Sequence, residues 1–148
     1  MNRELCRDNE QFVFVTAAVG RLAFATGEVT LGDAGHNPVL LIGSSGRAAT
    51  PHVPKCMALG VIPDTPYTDG RFVMSPGETL VLYTDGITDA RNPAGDMFDF
   101  DQLVQVVEQA GGGESAESVA AFINAAVVSF VAEAPPEDDL TLLVVRRT

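Results

Sequence analysis

The sequence predicts an α+β fold in which helices cover antiparallel β-sheets. The first two thirds of the chain contain short apolar or β-branched runs separated by turn residues, a pattern typical of strands. The last third changes to helical periodicity, and short hairpin connections join the strand runs. Several strands and only two helices are implied, so we expect the chain to lack part of the covering layer.

The predicted strands follow one another between turns. They are expected at residues 12–24, 29–31, 39–42, 47–50, 71–74 and 79–83. Turn residues separate them at 25–28 and 43–46, and four prolines make residues 51–67 an irregular loop. The last two strands flank Ser-Pro-Gly-Glu at 75–78, where Pro followed by Gly suits a type II turn.

Two amphipathic helices and a final strand are predicted in the last third. Asp99 is placed to cap the first helix, with Gln102 positioned as in a capping box, and the glycines at 111–113 end it. Its apolar positions are 103, 106, 107 and 110. The second helix carries a stripe made of Val119, Phe122, Ile123, Ala126, Val127, Phe130 and Val131. Pro135-Pro136 stops it, both stripes are predicted to be core, and residues 140–145 are predicted to form a buried closing strand.

Composition and charge limit the classes of function. The 148 residues are 46% hydrophobic and carry nine Lys and Arg against twenty Asp and Glu, a formal net charge of −11. This is typical of one acidic globular domain, whose field repels nucleic acid and anionic membranes. The polar start of the chain has no signal-peptide pattern, and the apolar stretch at 119–131 is too short to span a bilayer. Cys6 and Cys56 form no metal or disulfide pattern, so a cytoplasmic location is expected.

Acidic residues concentrate between Asp85 and Asp139, where twelve of them are opposed by Arg91 alone. Asp85 ends an apolar strand and precedes Gly86, and Asp89 follows four residues later. A helical turn starting at Gly86 would project both carboxylates to the same side, which suits a divalent cation. The alternatives are that Asp85 opens an Asx-type turn, that Asp89 caps the next segment, and that the acidic set is a solvated surface.

Asp138 and Asp139 directly precede the last predicted strand. They are candidates for a second group of metal ligands, and the alternative is that they are charges protecting a strand edge. Neighbouring strands would bring Asp138 close to Asp85. Two other segments do not match known functional motifs. The turn at 43–46 is not a nucleophile elbow, and the glycines at 111–113 are not followed by the lysine that a phosphate-binding loop requires. The histidines and cysteines show no metal or catalytic spacing.

Several sequence blocks occur in one order along nearly the whole chain. They are Asn-Arg-Glu-Leu at 2–5, Phe-Val-Thr at 14–16, Thr-Gly-Glu at 26–28, Ala-Gly-His-Asn-Pro at 34–38, Leu-Gly-Val at 59–61, Pro-Gly-Glu at 76–78, Leu-Tyr-Thr-Asp-Gly-Ile-Thr-Asp-Ala at 82–90 and Asp-Asp-Leu-Thr-Leu at 138–142. This order and spacing resemble the metal-dependent PPM-type serine/threonine protein phosphatases, in the bacterial branch typified by SpoIIE and RsbU. The resemblance implies a sandwich of two antiparallel sheets flanked by helices, with residues 1–148 as a single partial domain.

The resemblance also implies a reaction and the residues that carry it. In this family, aspartates hold a pair of Mg²⁺ or Mn²⁺ ions, which activate a water for attack on phosphoserine or phosphothreonine. By position in the blocks, Asp85 and Asp138 resemble metal ligands, and Asp89 matches a further metal site. The residues implied to support these ligands are Asp139, Gly86 and His36. The implied substrate is a phosphorylated regulatory protein such as an anti-sigma-factor antagonist.

The sequence departs from the family pattern in one respect. Family members carry an Asp-x-Ser-Gly-His/Lys-Gly motif upstream of the block at 2–5, and its aspartate bridges the two metals; no such motif occurs here. We therefore expect the N-terminal part of the domain to be missing and the metal site to be incomplete. The alternative functional prediction is a catalytically inactive interaction module. Unpaired sheet edges predict self-association or pairing with an N-terminal partner segment, and the alternative role for His36 is in a strand-joining turn.

Overall fold

The computed structural model describes residues 1–111, 115–135 and 138–148. Its helices are α1 (Asn2–Leu5), α2 (Asp85–Thr88), α3 (Phe100–Ala110) and α4 (Ala116–Val131). Its strands are β1 (Ala17–Ala23), β2 (Glu28–Ala34), β3 (Leu40–Ile42), β4 (Ala48–Ala49), β5 (Lys55–Cys56), β6 (Asp69–Val73), β7 (Thr79–Tyr83) and β8 (Leu142–Arg146). These elements form two compact units, Met1–His36 with His52–Val73, and Asn37–Pro51 with Met74–Thr148.

The first unit is built around β2. Strand β1 pairs antiparallel with β2 along its whole length. On the other side of β2, β6 pairs antiparallel and the short β5 pairs parallel. Val29 and Leu31 of β2 are both buried, because alternate residues of a strand point to the same face.

The second unit contains a four-stranded antiparallel sheet in the order β4-β3-β7-β8. Helix α3 contacts β3 and β4, while α4 contacts β8 and α3. The core between the sheet and these helices includes Leu40, Ile42, Val81, Tyr83, Leu103, Val107, Val119, Ile123 and Val127. Phe98 lies in the same core and meets Phe130 edge to face, with ring centroids 5.2 Å apart. This core fixes the end of β7, where the candidate site begins.

The predicted α+β class with antiparallel sheets is confirmed. The first part of the predicted strand at 12–24 is wrong, because β1 begins at Ala17 and Val15 makes only an isolated bridge to Leu59. Strand β5 lies inside the predicted irregular loop, and its parallel pairing with β2 was not predicted.

The type II turn at residues 75–78 is confirmed. The Glu78 N–H donates to the Ser75 carbonyl oxygen at 3.0 Å, and Gly77 has the positive φ, +86°, that the third position of this turn requires. The strands that flank the turn belong to different sheets, since β6 pairs with β2 whereas β7 pairs with β3 and β8. The turn therefore joins two sheets and closes no hairpin.

The two predicted helices are confirmed as α3 and α4. The Asp99 side chain accepts from the Gln102 N–H at 2.9 Å, as a capping residue should. The stripe on α4 is narrower than predicted, because Phe122 is 45% exposed. Three of the residues that were predicted to end these helices, Gly112, Gly113 and Pro136, lie outside the described residues. None of the described helices has the length and apolar character that crossing a membrane requires.

The prediction of a buried closing strand is wrong. Strand β8 starts two residues later than predicted, pairs only with β7 among the described strands, and leaves Leu143 54% exposed. An apolar run of this length fits an edge strand as well as a central one, and only the pairing of strands decides between them.

Candidate metal centre

Asp85 stands where β7 gives way to α2 in the second unit. Thr84 has extended backbone, φ −91° and ψ 160°, and Asp85 is the first residue of the helical turn. The Asp85 carbonyl oxygen accepts from the Asp89 N–H at 2.8 Å and from the Thr88 hydroxyl at 3.2 Å. The turn that the sequence predicts is therefore formed, and it starts at Asp85, one residue before Gly86.

Thr84 ties the end of β7 to the beginning of β8. Its backbone N–H donates to the Thr141 carbonyl oxygen at 3.1 Å, and its hydroxyl accepts from the Thr141 N–H at 3.1 Å. The same hydroxyl lies 3.3 Å from the Asp139 carbonyl oxygen. Because β7 and β8 are paired and cross-linked at this end, the segment containing Asp138 is held beside the start of α2.

Gly86 is in tight contact with that segment. A Cβ built on Gly86 would overlap the Asp139 carbonyl oxygen, and it would lie 3.6 Å from the Cβ of Asp138. The Asp139 N–H donates to the Asp138 carboxylate at 2.7 Å, which orients that side chain locally. Glycine at position 86 therefore allows the two aspartate-bearing segments to approach each other closely.

Asp89 and Asp138 line one small cavity of about 50 Å³. Gly86 and Arg91 line the same cavity, while Asp85 is not among its described lining residues. The structure thus places Asp89 and Asp138 at one cavity. The sequence instead predicted that Asp85 and Asp138 would lie close together. A cavity of this size has room for a water molecule or a small ion.

The donors at this cavity fit a hard divalent cation in kind. Carboxylate oxygens are preferred by Mg²⁺ and Mn²⁺, and Asp89 and Asp138 are the two acidic residues in the cavity lining. They do not make a full ligand set: no group of three or more His, Cys, Asp or Glu is placed to hold a metal within residues 1–111, 115–135 and 138–148. Among the described residues, the cavity therefore has two aspartates in its lining and no complete set of metal ligands.

The other predicted site residues have different surroundings. His36 belongs to the first unit, where its backbone N–H donates to the Asp33 carboxylate at 2.7 Å after the end of β2. Gly35 beside it has φ +74°, a backbone conformation that glycine adopts readily, and makes an isolated bridge to Ala17. Asp139 is not among the described lining residues of the cavity; its carbonyl oxygen packs against Gly86 and accepts from the Thr84 hydroxyl.

Tyr83 lies two residues before Asp85 and belongs to the hydrophobic core of the second unit. Its side chain is buried, and this burial raises the pKa of its phenol from 10.0 to about 12. The phenol therefore stays neutral at physiological pH.

Two residues of the site were not predicted from the sequence. Thr84 links the two strands, and no sequence signal distinguishes it from any other threonine at a strand end. Arg91 lines the cavity, and its signal was present in the sequence as the lone basic residue among twelve acidic ones.

Comparisons with known proteins agree on one family. The family model described as Stage II sporulation protein E (SpoIIE) matches residues 1–148. The curated Protein IcfG of Synechocystis sp. is 28% identical over 140 residues, which is 91% of this chain and 21% of IcfG. The chain thus spans about a fifth of the length of this curated relative.

Solved structures show the same fold. The SiaA-PP2C domain of Pseudomonas aeruginosa has a TM-score of 0.74 and 22% identity, covering 88% of this chain and 51% of that one. RsbX, solved in complex with magnesium, has a TM-score of 0.65 and 18% identity, covering 97% of this chain and 59% of that one. The chain spans about half of the length of these structures.

Proposed function

This chain belongs to the SpoIIE family, and we propose that it supplies carboxylate ligands to the metal centre of a PPM-type protein phosphatase. The proposed reaction is the hydrolysis of phosphoserine or phosphothreonine on a regulatory protein. Residues 1–148 would then be part of one phosphatase domain. The observation that carries the proposal is the cavity that Asp89 and Asp138 share beside the start of α2.

The proposed ligands are Asp85, Asp89 and Asp138. Asp85 is held at the first residue of α2, and Asp138 is held beside Gly86 by the paired ends of β7 and β8. Ligands fixed by rigid backbone suit a metal site, because little entropy is lost when the ion binds. The remaining ligands of a binuclear site have to come from outside the described residues, since those contain no group of three.

Mg²⁺ or Mn²⁺ is the proposed metal, on the basis of the oxygen donors and of magnesium in the related RsbX structure. When bound, such ions lower the pKa of a coordinated water and neutralise charge on the phosphoryl group. The chain's own part is to hold carboxylates at the cavity wall and to keep their segments in contact through Gly86 and Thr84.

Hydrolysis of a small aryl phosphate by the purified chain, with and without Mn²⁺, tests this function. Any manganese-dependent turnover should fall about 10- to 100-fold or more in Asp138→Asn and in Asp85→Asn, because each loses a charged ligand. Asp101→Asn is the matched control, as it removes the same charge from an exposed position on α3. Equal turnover in all of these variants would contradict the proposed ligands.

A second candidate function is a catalytically inactive interaction module. It is favoured by one observation, the incomplete set of metal ligands among the described residues. Absence of manganese-dependent turnover in a protein that circular dichroism shows to be folded would support this module. Turnover that Asp138→Asn abolishes would exclude it.

A further inference from the structure

Thr84 stands at the N-cap position of α2 without capping it. A threonine at this position ordinarily accepts a hydrogen bond from the backbone N–H of the second or third helical residue. The Thr84 side chain accepts nothing from Gly86 or Ile87, and its hydroxyl instead contacts the segment that precedes β8. The hydroxyl therefore has a role that the start of α2 does not explain.

The Thr84 carbonyl oxygen leaves the ladder between β7 and β8. The register of these strands places Thr84 opposite Thr141, one pair beyond Tyr83 and Leu142. The Thr84 N–H donates to the Thr141 carbonyl oxygen at 3.1 Å, as in a hydrogen-bonded antiparallel pair. The return bond is not made to the Thr84 carbonyl oxygen, because that oxygen accepts from the Ile87 N–H at 3.1 Å and so begins the helical turn.

The Thr84 hydroxyl takes the place of that carbonyl oxygen. It accepts from the Thr141 N–H at 3.1 Å and donates to the Asp139 carbonyl oxygen at 3.3 Å. A hydroxyl has one donor and two acceptor sites, so it makes both bonds at once. The same residue can therefore continue the pairing with β8 and start the turn that carries Asp85 and Asp89.

We propose that the Thr84 hydroxyl is the positioning group of the metal centre, which fixes the Asp138 segment against the turn that carries Asp89. This proposal rests on the proposed function and adds the residue that sets the spacing of its ligands. The Asp139 N–H donates to the Asp138 carboxylate at 2.7 Å, and the Asp139 carbonyl oxygen accepts from Thr84, so one residue joins the carboxylate to the hydroxyl. Removing a group that orients a metal ligand typically weakens metal binding about 10- to 100-fold.

Amide hydrogen exchange in the metal-free chain, followed by NMR, tests the link itself. Thr84→Val keeps the shape of the side chain and removes the hydroxyl, whereas Thr84→Ser keeps the hydroxyl. We expect the Thr141 amide to exchange about 2- to 10-fold faster in Thr84→Val, the effect of losing one hydrogen bond. The Ile87 amide donates to the Thr84 carbonyl oxygen and should keep its rate, and Thr84→Ser should restore the wild-type rate at Thr141.

Mn²⁺ affinity, measured from the free-ion signal in electron paramagnetic resonance, tests the consequence for the metal centre. We expect Thr84→Val to weaken Mn²⁺ binding about 10-fold or more and Thr84→Ser to stay within about 2-fold of the wild type. Thr50→Val is the matched control, because it removes a hydroxyl from an exposed threonine of the same unit. It should change neither the Thr141 exchange rate nor the Mn²⁺ affinity.

Four results overturn the proposal. They are an unchanged Thr141 exchange rate in Thr84→Val, faster exchange at Ile87 in place of Thr141, an unchanged Mn²⁺ affinity in Thr84→Val, and an equal loss of affinity in Thr84→Ser. The second would show that the threonine acts as a helix cap. If Thr84→Val does not fold, Mg²⁺ titration of the wild type decides. The Thr141 amide signal must then shift together with those of Asp89 and Asp138, and a shift confined to the two aspartates overturns the proposal.

The two measurements separate this proposal from the proposed function. A wild type that binds no Mn²⁺, with Thr141 exchange that still depends on the hydroxyl, would overturn the metal centre and keep Thr84 as the link between the two segments. Mn²⁺ binding that is lost in Asp138→Asn and unchanged in Thr84→Val would overturn the positioning role alone.

Discussion

Replacing Gly86 with alanine should loosen the candidate metal centre. Gly86 does not have a positive φ, so alanine fits the backbone, and in an open helix it would stabilise by about 0.5–1 kcal/mol. Here the added Cβ would overlap the Asp139 carbonyl oxygen and lie 3.0 Å from its carbonyl carbon. Overpacking costs about 1–3 kcal/mol, and an overlap this close with a backbone atom belongs to the upper part of that range, so a net loss of about 1–2 kcal/mol is expected.

Thermal unfolding followed by circular dichroism measures this loss. At this chain length about 1–2 kcal/mol corresponds to a fall in Tm of roughly 2–8 °C. Gly43→Ala is the control, because the atom nearest to its Cβ would be the Arg47 carbonyl oxygen at 3.8 Å, an ordinary contact. The reasoning is refuted if Gly86→Ala is as stable as Gly43→Ala and binds Mn²⁺ as tightly as the wild type.

Three further changes test the packing and electrostatics around the site. In Tyr67→Phe, Tyr83 is the sole tyrosine, and its phenolate absorbance should appear near pH 12; a midpoint near pH 10 would show that it is not buried. Because the unfolded phenol ionises near pH 10 and the folded one near 12, this group's contribution to stability is lost as pH rises through that window. Asp99→Ala should lower the free energy of unfolding, measured in urea, by about 1–3 kcal/mol, because the helix loses its cap and alanine is strained at φ +54°. Asp99→Asn keeps a side-chain acceptor and should lower it less, so equal losses in the two variants would contradict the capping role. Phe98→Ala should cost about 3–5 kcal/mol, since Phe98 is fully buried against Phe130, and a loss below about 1 kcal/mol would contradict that packing.

Local features of the fold were predictable because single residues dictate them. Pro followed by Gly at 76–77 requires the type II turn, and Asp99 before an apolar period begins a helix. Strand pairing was less predictable, because it depends on partners far away in the sequence. The run at 140–145 was predicted to be buried, yet β8 is an edge strand within the part of the chain that the structure describes, since apolarity alone does not reveal how many neighbours a strand has.

The candidate site was likewise predictable only in part: its residues could be named from the sequence, but their arrangement could not. Asp85, Asp89 and Asp138 were recognised from their blocks and from their places at strand ends. Which pair shares a cavity was not predictable, because it depends on how the β7–β8 pairing carries Asp138 past Gly86. The position of Arg91 on the cavity wall depends in turn on the loop bonds of Asn92, which act over four residues and have no periodic signal.

Mn²⁺ binding to the full chain, followed by the loss of the free-ion signal in electron paramagnetic resonance, tests the proposed metal centre most directly. The wild type should bind Mn²⁺, and Asp89→Asn and Asp138→Asn should each weaken binding about 10-fold or more, because they remove carboxylates that line one cavity. Asp101→Asn should bind as the wild type does. Mn²⁺ affinity that stays the same in Asp89→Asn, Asp138→Asn and the wild type would contradict a metal centre at this cavity.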